Sequence, residues 1–161
     1  MAETLQIRPM LWFDGKAEEA AKFYVSIFPN SEILEITHYG ESGPGPKGSV
    51  MTVAFRLGDR EYVALNGGPQ FQFTEAISLA IECETQEQVD TLWRKLTSGG
   101  GQEGVCGWLK DRYGLSWQVV PAVAIRALGG PDQKRADRVL RAVMEMKKLD
   151  VARIEAAARS S

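Results

Sequence analysis

Two stretches of this chain repeat one order of elements: an apolar run, a helix with an apolar stripe, then strands joined by tight turns. No single motif constrains the fold as much. A strand, a helix and an antiparallel run, written twice, pack as two matched βαβββ modules of an α+β protein. The two copies share order and no obvious sequence identity.

The first copy runs from Leu5 to Asn66. Leu5 to Phe13 carries large apolar groups on both parities, the pattern of a strand covered on both faces. Pro9 marks a bulge or an edge within it. Asp14-Gly15 ends the strand and can cap the next element. Ala17, Ala20, Ala21, Tyr24, Ile27 and Phe28 then form one helical stripe, and Pro29-Asn30 stops it. Ser31 to Tyr39 reads as a strand. Gly40 to Gly48 is a Gly/Pro loop without packing residues. Ser49 to Leu57 and Arg60 to Asn66 form a hairpin about Gly58-Asp59.

The second copy runs from Ala76 to Val120. Ala76 to Glu84 is a strand with Ile77, Leu79 and Ile81 on one face. Thr85 and Gln88 make a capping box for a helix striped by Val89, Leu92, Trp93 and Leu96. Gly99-Gly100-Gly101 ends that helix. Two short strands lead to a last hairpin, Gly107 to Pro121. Asp111-Arg112-Tyr113-Gly114 turns it, because Asp accepts from amides two residues on and Gly takes a positive φ. Asn66, before Gly67-Gly68-Pro69, reads as a turn residue bonded to its own backbone.

Residues 1–121 thus hold the paired modules, and 122–161 form a helical extension packed on the body or on a partner subunit. In the extension Asp132 caps a helix striped by Ala136, Val139, Leu140 and Val143, and Asp150 begins a last short one.

A net charge of −2 draws the chain toward neither nucleic acid nor anionic lipid. No apolar run approaches the roughly 20 residues of a membrane-spanning helix. No secretory signal is visible, so a cytoplasmic location is expected. Cys83 and Cys106 are expected as reduced, small hydrophobes.

Four segments carry a family resemblance: LWFDGKAEEAAKFYVSIFPNS (Leu11 to Ser31), YGESGPGPKGSVMTVAF (Tyr39 to Phe55), ALNGGPQFQF (Ala64 to Phe73) and CGWLKDRYGLSWQVVP (Cys106 to Pro121), and the tail MKKLD (Met146 to Asp150) also fits. With them the chain resembles the PhnB-like family, labelled 3-demethylubiquinone 3-methyltransferase domain, of the vicinal-oxygen-chelate (glyoxalase/bleomycin resistance) superfamily. The resemblance implies half-barrel modules around a cavity, and a homodimer. Chelating members place a His on the first strand, a His at the start of the second module and a Glu on the last strand. At those positions this chain has Pro9, then one of Glu75, Ala76 and Ile77, of which only Glu75 could serve, and Gln118. With one histidine in the whole chain, His38, borderline-metal chemistry lacks its usual ligands.

The leading reading is therefore a small-molecule-binding protein with neither metal nor other cofactor. By strand parity Leu11 and Phe13 share Pro9's inward face, and Ser116, Gln118 and Val120 share another. Together they would line an apolar pocket with a hydroxyl and an amide for orientation; the alternative is that both strands fill a core, with Gln118 a satisfied buried amide. The rival is a glyoxalase-type lyase, isomerase or dioxygenase with a carboxylate metal site drawn from Glu61, Glu75 or Glu82. For an enzyme, His38 is the weak catalytic candidate, a general base near neutral pH. A methyltransferase of quinone biosynthesis ranks third. Neither glycine-rich stretch opens a helix after a parallel strand, where an anionic cofactor would find free amides.

Overall fold

The computed structural model describes residues 3–160 and divides into two compact units, which part between Gln72 and Phe73. The first unit holds β1 (Met10–Phe13), α1 (Ala17–Ile27), β2 (Ser31–His38), β3 (Val50–Leu57) and β4 (Arg60–Asn66). Its sheet runs in the order β1-β4-β3-β2, with β1 parallel to β4 and the other pairs antiparallel. The alanines of α1 let it lie close to the sheet. Ala17, Ala20, Ala21 and Tyr24 are fully buried, as are Val53, Phe55 and Ala64 on the strands. Tyr24 stacks on Phe55 at 6.1 Å between ring centroids. Each large side chain buried here contributes about 1.5–3 kcal/mol.

The first strand is shorter than its apolar run. Only Met10–Phe13 pairs, while Leu5 and Ile7 are 85% and 94% exposed and Met10 is 60% exposed. Pro9 has no N–H to offer the ladder, and only its carbonyl accepts, from Val63 N–H. The expectation that both faces are covered therefore fails at Met10. The loop after β2 also packs more than its composition implied. Tyr39 is buried, and a Cβ at Gly45 would overlap its ring.

The second unit repeats the plan with β5 (Ser78–Cys83), α2 (Gln86–Thr97), β6 (Gln102–Glu103), β7 (Trp108–Lys110) and β8 (Ser116–Pro121). The sheet order is β5-β8-β7-β6, and β5 lies parallel to β8 as β1 does to β4. So the repeat written in the sequence is a repeat of topology. The cap of α2 forms as expected: Gln88 N–H donates to Thr85 Oγ1 at 3.2 Å. The Gln88 side chain reaches one residue further back than the usual box, accepting from Glu84 N–H at 2.8 Å.

Beyond β8 the structure has three helices where the sequence pattern indicated two: α3 (Ala122–Gly129), α4 (Gln133–Met144) and α5 (Val151–Arg159). The extra one, α3, is a short apolar run whose periodicity is hidden by its alanines. Ala124, Ala127, Val139, Val143, Met146, Leu149 and Ile154 form a core of their own, against which Cys106 and Val120 pack. The linker Met146–Lys147 joins the sheet through Cys106 N–H to Met146 O and Gly107 N–H to Lys147 O. Gln86 ties the same linker to α2, donating to Leu149 O and accepting from Val151 N–H. Among the described residues no helix is long and apolar enough to cross a membrane.

Candidate functional site

In the second unit α2 covers one face of the sheet. Leu109, Trp117 and Val119 lie on that side and are buried. The other face alternates with them. Strand register lays a transverse row of polar side chains across it: Gln102 opposite Lys110, Lys110 opposite Ser116, and Ser116 opposite Ser78. The next row is Trp108, Gln118 and Ala80, and the one after pairs Val120 with Glu82.

A cavity of about 500 Å³ opens along this face, lined by Glu75, Gln102, Val105, Cys106, Trp108, Lys110 and Ser116 among others. Ser116 is 1% exposed, and its hydroxyl has no hydrogen-bond partner. Such an orphan costs about 1–3 kcal/mol and calls for a reason. Glu75 forms an ion pair with Lys110. A hydrogen bond from the Lys110 ammonium, then one from Glu75's own backbone N–H, and last the Lys110 charge hold the Glu75 carboxyl below the usual carboxylate range. Gln118 donates its amide to Ser78 Oγ at 3.0 Å.

The hairpin that builds this face is pinned by one carboxylate. Asp111 is 2% exposed, and its Oδ1 accepts from Tyr113 N–H at 2.8 Å and Leu115 N–H at 3.1 Å. The first bond is the turn bond that the sequence pattern implies. A third bond is not legible in local sequence: Trp117 Nε1–H donates to Oδ2 at 2.9 Å. It locks Trp117 to the helix side, and alternation then sends Ser116 and Gln118 to the open side.

Of the residues expected to line the pocket, Ser116 and Gln118 lie on this open face and Ser116 lines the cavity. Val120 lies on the same face but packs against the core of the C-terminal helices, which close that end. Leu11 and Phe13 are a correction. Pairing sets Leu11 beside Ala64 and Phe13 beside Asn66, and Ala64 beside Val53, so both belong to the α1 side. Each is 4% exposed and fills the core under that helix. Parity alone could not tell which face α1 would cover. His38 is exposed at the end of β2 and lines neither cavity described here.

Asn66 does more than turn its own backbone. Its Oδ1 accepts from Ala17 N–H at 2.9 Å and so caps α1, a role expected of Asp14-Gly15. Its amide donates to Val50 O at 3.1 Å. These residues border a cavity of about 520 Å³ in the first unit, with Tyr39, Gly67, Gly68 and Gln70. Two of its polar groups are already engaged: Tyr39 Oη donates to Asn66 O at 2.5 Å, and Gly68 O accepts from Trp12 Nε1–H at 2.8 Å.

Neither cysteine is bridged. Cys83 ends β5 in the core, where burial, and then the nearby Glu82 charge, push its thiol up to about 11. Cys106 lies in a turn at φ 60°, not in a strand, because its N–H is directed toward the C-terminal linker.

A chelated divalent metal does not fit these side chains. Pro9 offers no ligand atom, Glu75 is held by Lys110, and Gln118 is an amide bonded to Ser78. Glu61 pairs with Arg8 at 3.6 Å, and Glu82 is exposed on β5. Among the described residues no three His, Cys, Asp or Glu side chains converge within either unit.

A family model described as 3-demethylubiquinone-9 3-methyltransferase matches residues 5–120. A PhnB protein of Bacillus cereus, named for the same methyltransferase, is 40% identical over 73% of this chain and 100% of its own, with a TM-score of 0.67. A protein of Pseudomonas aeruginosa is 21% identical over 73% of this chain and 98% of its own, with a TM-score of 0.61. A fosfomycin resistance protein of Listeria monocytogenes is 14% identical over 76% of this chain and 95% of its own, with a TM-score of 0.52. The last two likenesses concern the fold alone. No curated protein matches the chain. The family match stops at the end of β8, so α3, α4 and α5 lie beyond it.

Proposed function

The chain belongs to the 3-demethylubiquinone-9 3-methyltransferase (PhnB-like) family, and we propose that it works as a binding protein. The open face of the second sheet takes up a small, partly apolar molecule. One observation carries the reading: a buried hydroxyl without a partner, Ser116, lines a cavity of about 500 Å³ beside a half-buried indole, Trp108. The volume lies within the range of small-molecule pockets, roughly 300–1,000 Å³. The lining pairs apolar surface from Val105, Cys106 and Trp108 with a few convergent polar groups, the division of labour that such sites use. A ligand acceptor placed at Ser116 would relieve the unmet hydrogen bond.

The test uses 1-naphthylacetamide as a neutral aromatic probe. At ~0.3 kcal/mol per non-hydrogen atom, its roughly fourteen atoms correspond to a Kd of about 1 mM. Saturable quenching of tryptophan fluorescence, lost in Trp108→Ala and weakened in Ser116→Ala, is the expected result. Quenching that stays linear to about 10 mM, or that survives Trp108→Ala unchanged, refutes the reading.

A further inference from the structure

We propose that the ligand is a small organic anion: an aromatic or apolar body bearing one carboxylate or equivalent anionic group, received between the Lys110 ammonium and the Ser116 hydroxyl. The proposal deepens the binding reading above and rests on it.

The geometry points there in three steps. First, Lys110 and Ser116 are direct cross-strand partners on the open face. Such partners keep their Cβ atoms about 4.5–5.5 Å apart, which one carboxylate can bridge. Second, the row they belong to is rich in donors. Lys110 brings an ammonium, Ser116 an unmet hydroxyl and Gln102 an amide, and the neighbouring row supplies Trp108 as an aromatic wall. Donors that converge beside an apolar wall select an anion with an apolar body.

Third, the chain already puts a carboxylate in this place. Glu75, on the connector before β5, pairs with Lys110, and its side chain is 62% exposed. An ion pair this open to water is screened and weakly held. It is therefore displaced readily by a ligand carboxylate that also engages Ser116. Glu75 acts as an internal competitor, a surrogate for the ligand's own charge. The other carboxylate bordering the cavity, Glu103, does not oppose an anion from this face. It shares the α2 side with Leu109 and accepts from Trp93 Nε1–H at 2.6 Å.

The experiment compares 1-naphthylacetate with 1-naphthylacetamide, which share an aromatic body and differ in charge. Each is titrated by calorimetry at low salt into the wild-type chain, Lys110→Met, Ser116→Ala and Glu75→Gln. The acid should bind about tenfold more tightly than the amide. Lys110→Met should erase that preference, and Ser116→Ala should weaken the acid. Glu75→Gln should tighten the acid several-fold and leave the amide unchanged. Equal binding of the two probes by the wild-type chain, or a preference that survives Lys110→Met, overturns the anion class while the cavity reading stands. Should Lys110→Met not fold, Glu75→Gln decides, since its side chain lies in solvent: unchanged acid affinity overturns the proposal. Failure of both probes to bind overturns this proposal and the parent reading together.

Discussion

Replacing Asp111 by Asn removes one acceptor from a buried site that needs two. The carboxylate receives three N–H groups, from Tyr113 and Leu115 on Oδ1 and from Trp117 Nε1 on Oδ2. An amide can keep its oxygen on the two backbone donors only by turning its NH₂ toward the indole N–H. Two donors then face each other beside a tryptophan that is 2% exposed. A lost hydrogen bond to a charged group costs about 1.5–3 kcal/mol, and the unsatisfied indole adds about 1–3 kcal/mol. Relief of the buried charge offsets part of this. The net expectation is a loss of about 3 kcal/mol. With an m-value of roughly 1.5–2 kcal/mol/M, the urea midpoint of the second unit should fall by about 1.5–2 M. Far-UV circular dichroism follows the transition without relying on tryptophan emission. Trp117→Phe supplies the decisive control. It removes the indole donor, so Asp111→Asn should cost about 1–2 kcal/mol less in that background. A midpoint equal to wild type, or strictly additive losses in the double variant, refutes the argument that Asp111 sets which way β8 faces.

Thiol reactivity should split in two: at pH 8 Cys106 reacts with a disulfide reagent in the folded chain, while Cys83, buried and pushed up to about 11, reacts only on unfolding. Fast labelling of both in the native state counts against the core position of Cys83. Gly67→Ala should destabilise the first unit by about 1–3 kcal/mol, because the new Cβ would overlap the Trp12 ring, itself held by Gly68 O and by Phe71. An unchanged melting temperature would show that the ring moves aside freely. The Asp90 carboxyl is held below its ordinary range by hydrogen bonds from Lys148 and then from Gln86, with the Lys148 charge adding to them. A depressed folded-state value gives stability that is present above the ordinary carboxylate range and is lost as pH falls through the folded value. Asp90→Asn should remove that acid-limb component, of about 0–1 kcal/mol for so exposed a pair. Identical stability curves for the two proteins from pH 6 to about pH 3 refute it.

What the sequence by itself determined was local. The α1 and α2 stripes, the Thr85 cap, the Gly58-Asp59 hairpin and the Asp111 turn each depend on residues within a few positions of one another, and they appear where the pattern puts them. The twofold order of elements, and with it the fold class, was legible for the same reason. Alternation also grouped Ser116 with Gln118 correctly, since a strand's period of two is a covalent property. Only the tertiary structure decided which face of each sheet a helix would cover. That choice sent Leu11 and Phe13 into the core under α1, although their alternation is as clean as that of Ser116 and Gln118. Asn66 capping α1 from β4, Trp117 closing on Asp111 and the C-terminal core covering Val120 are likewise decided by packing. The physical reason is that periodicity divides a strand into two faces and leaves them equivalent, and contact with a distant element is what breaks that symmetry.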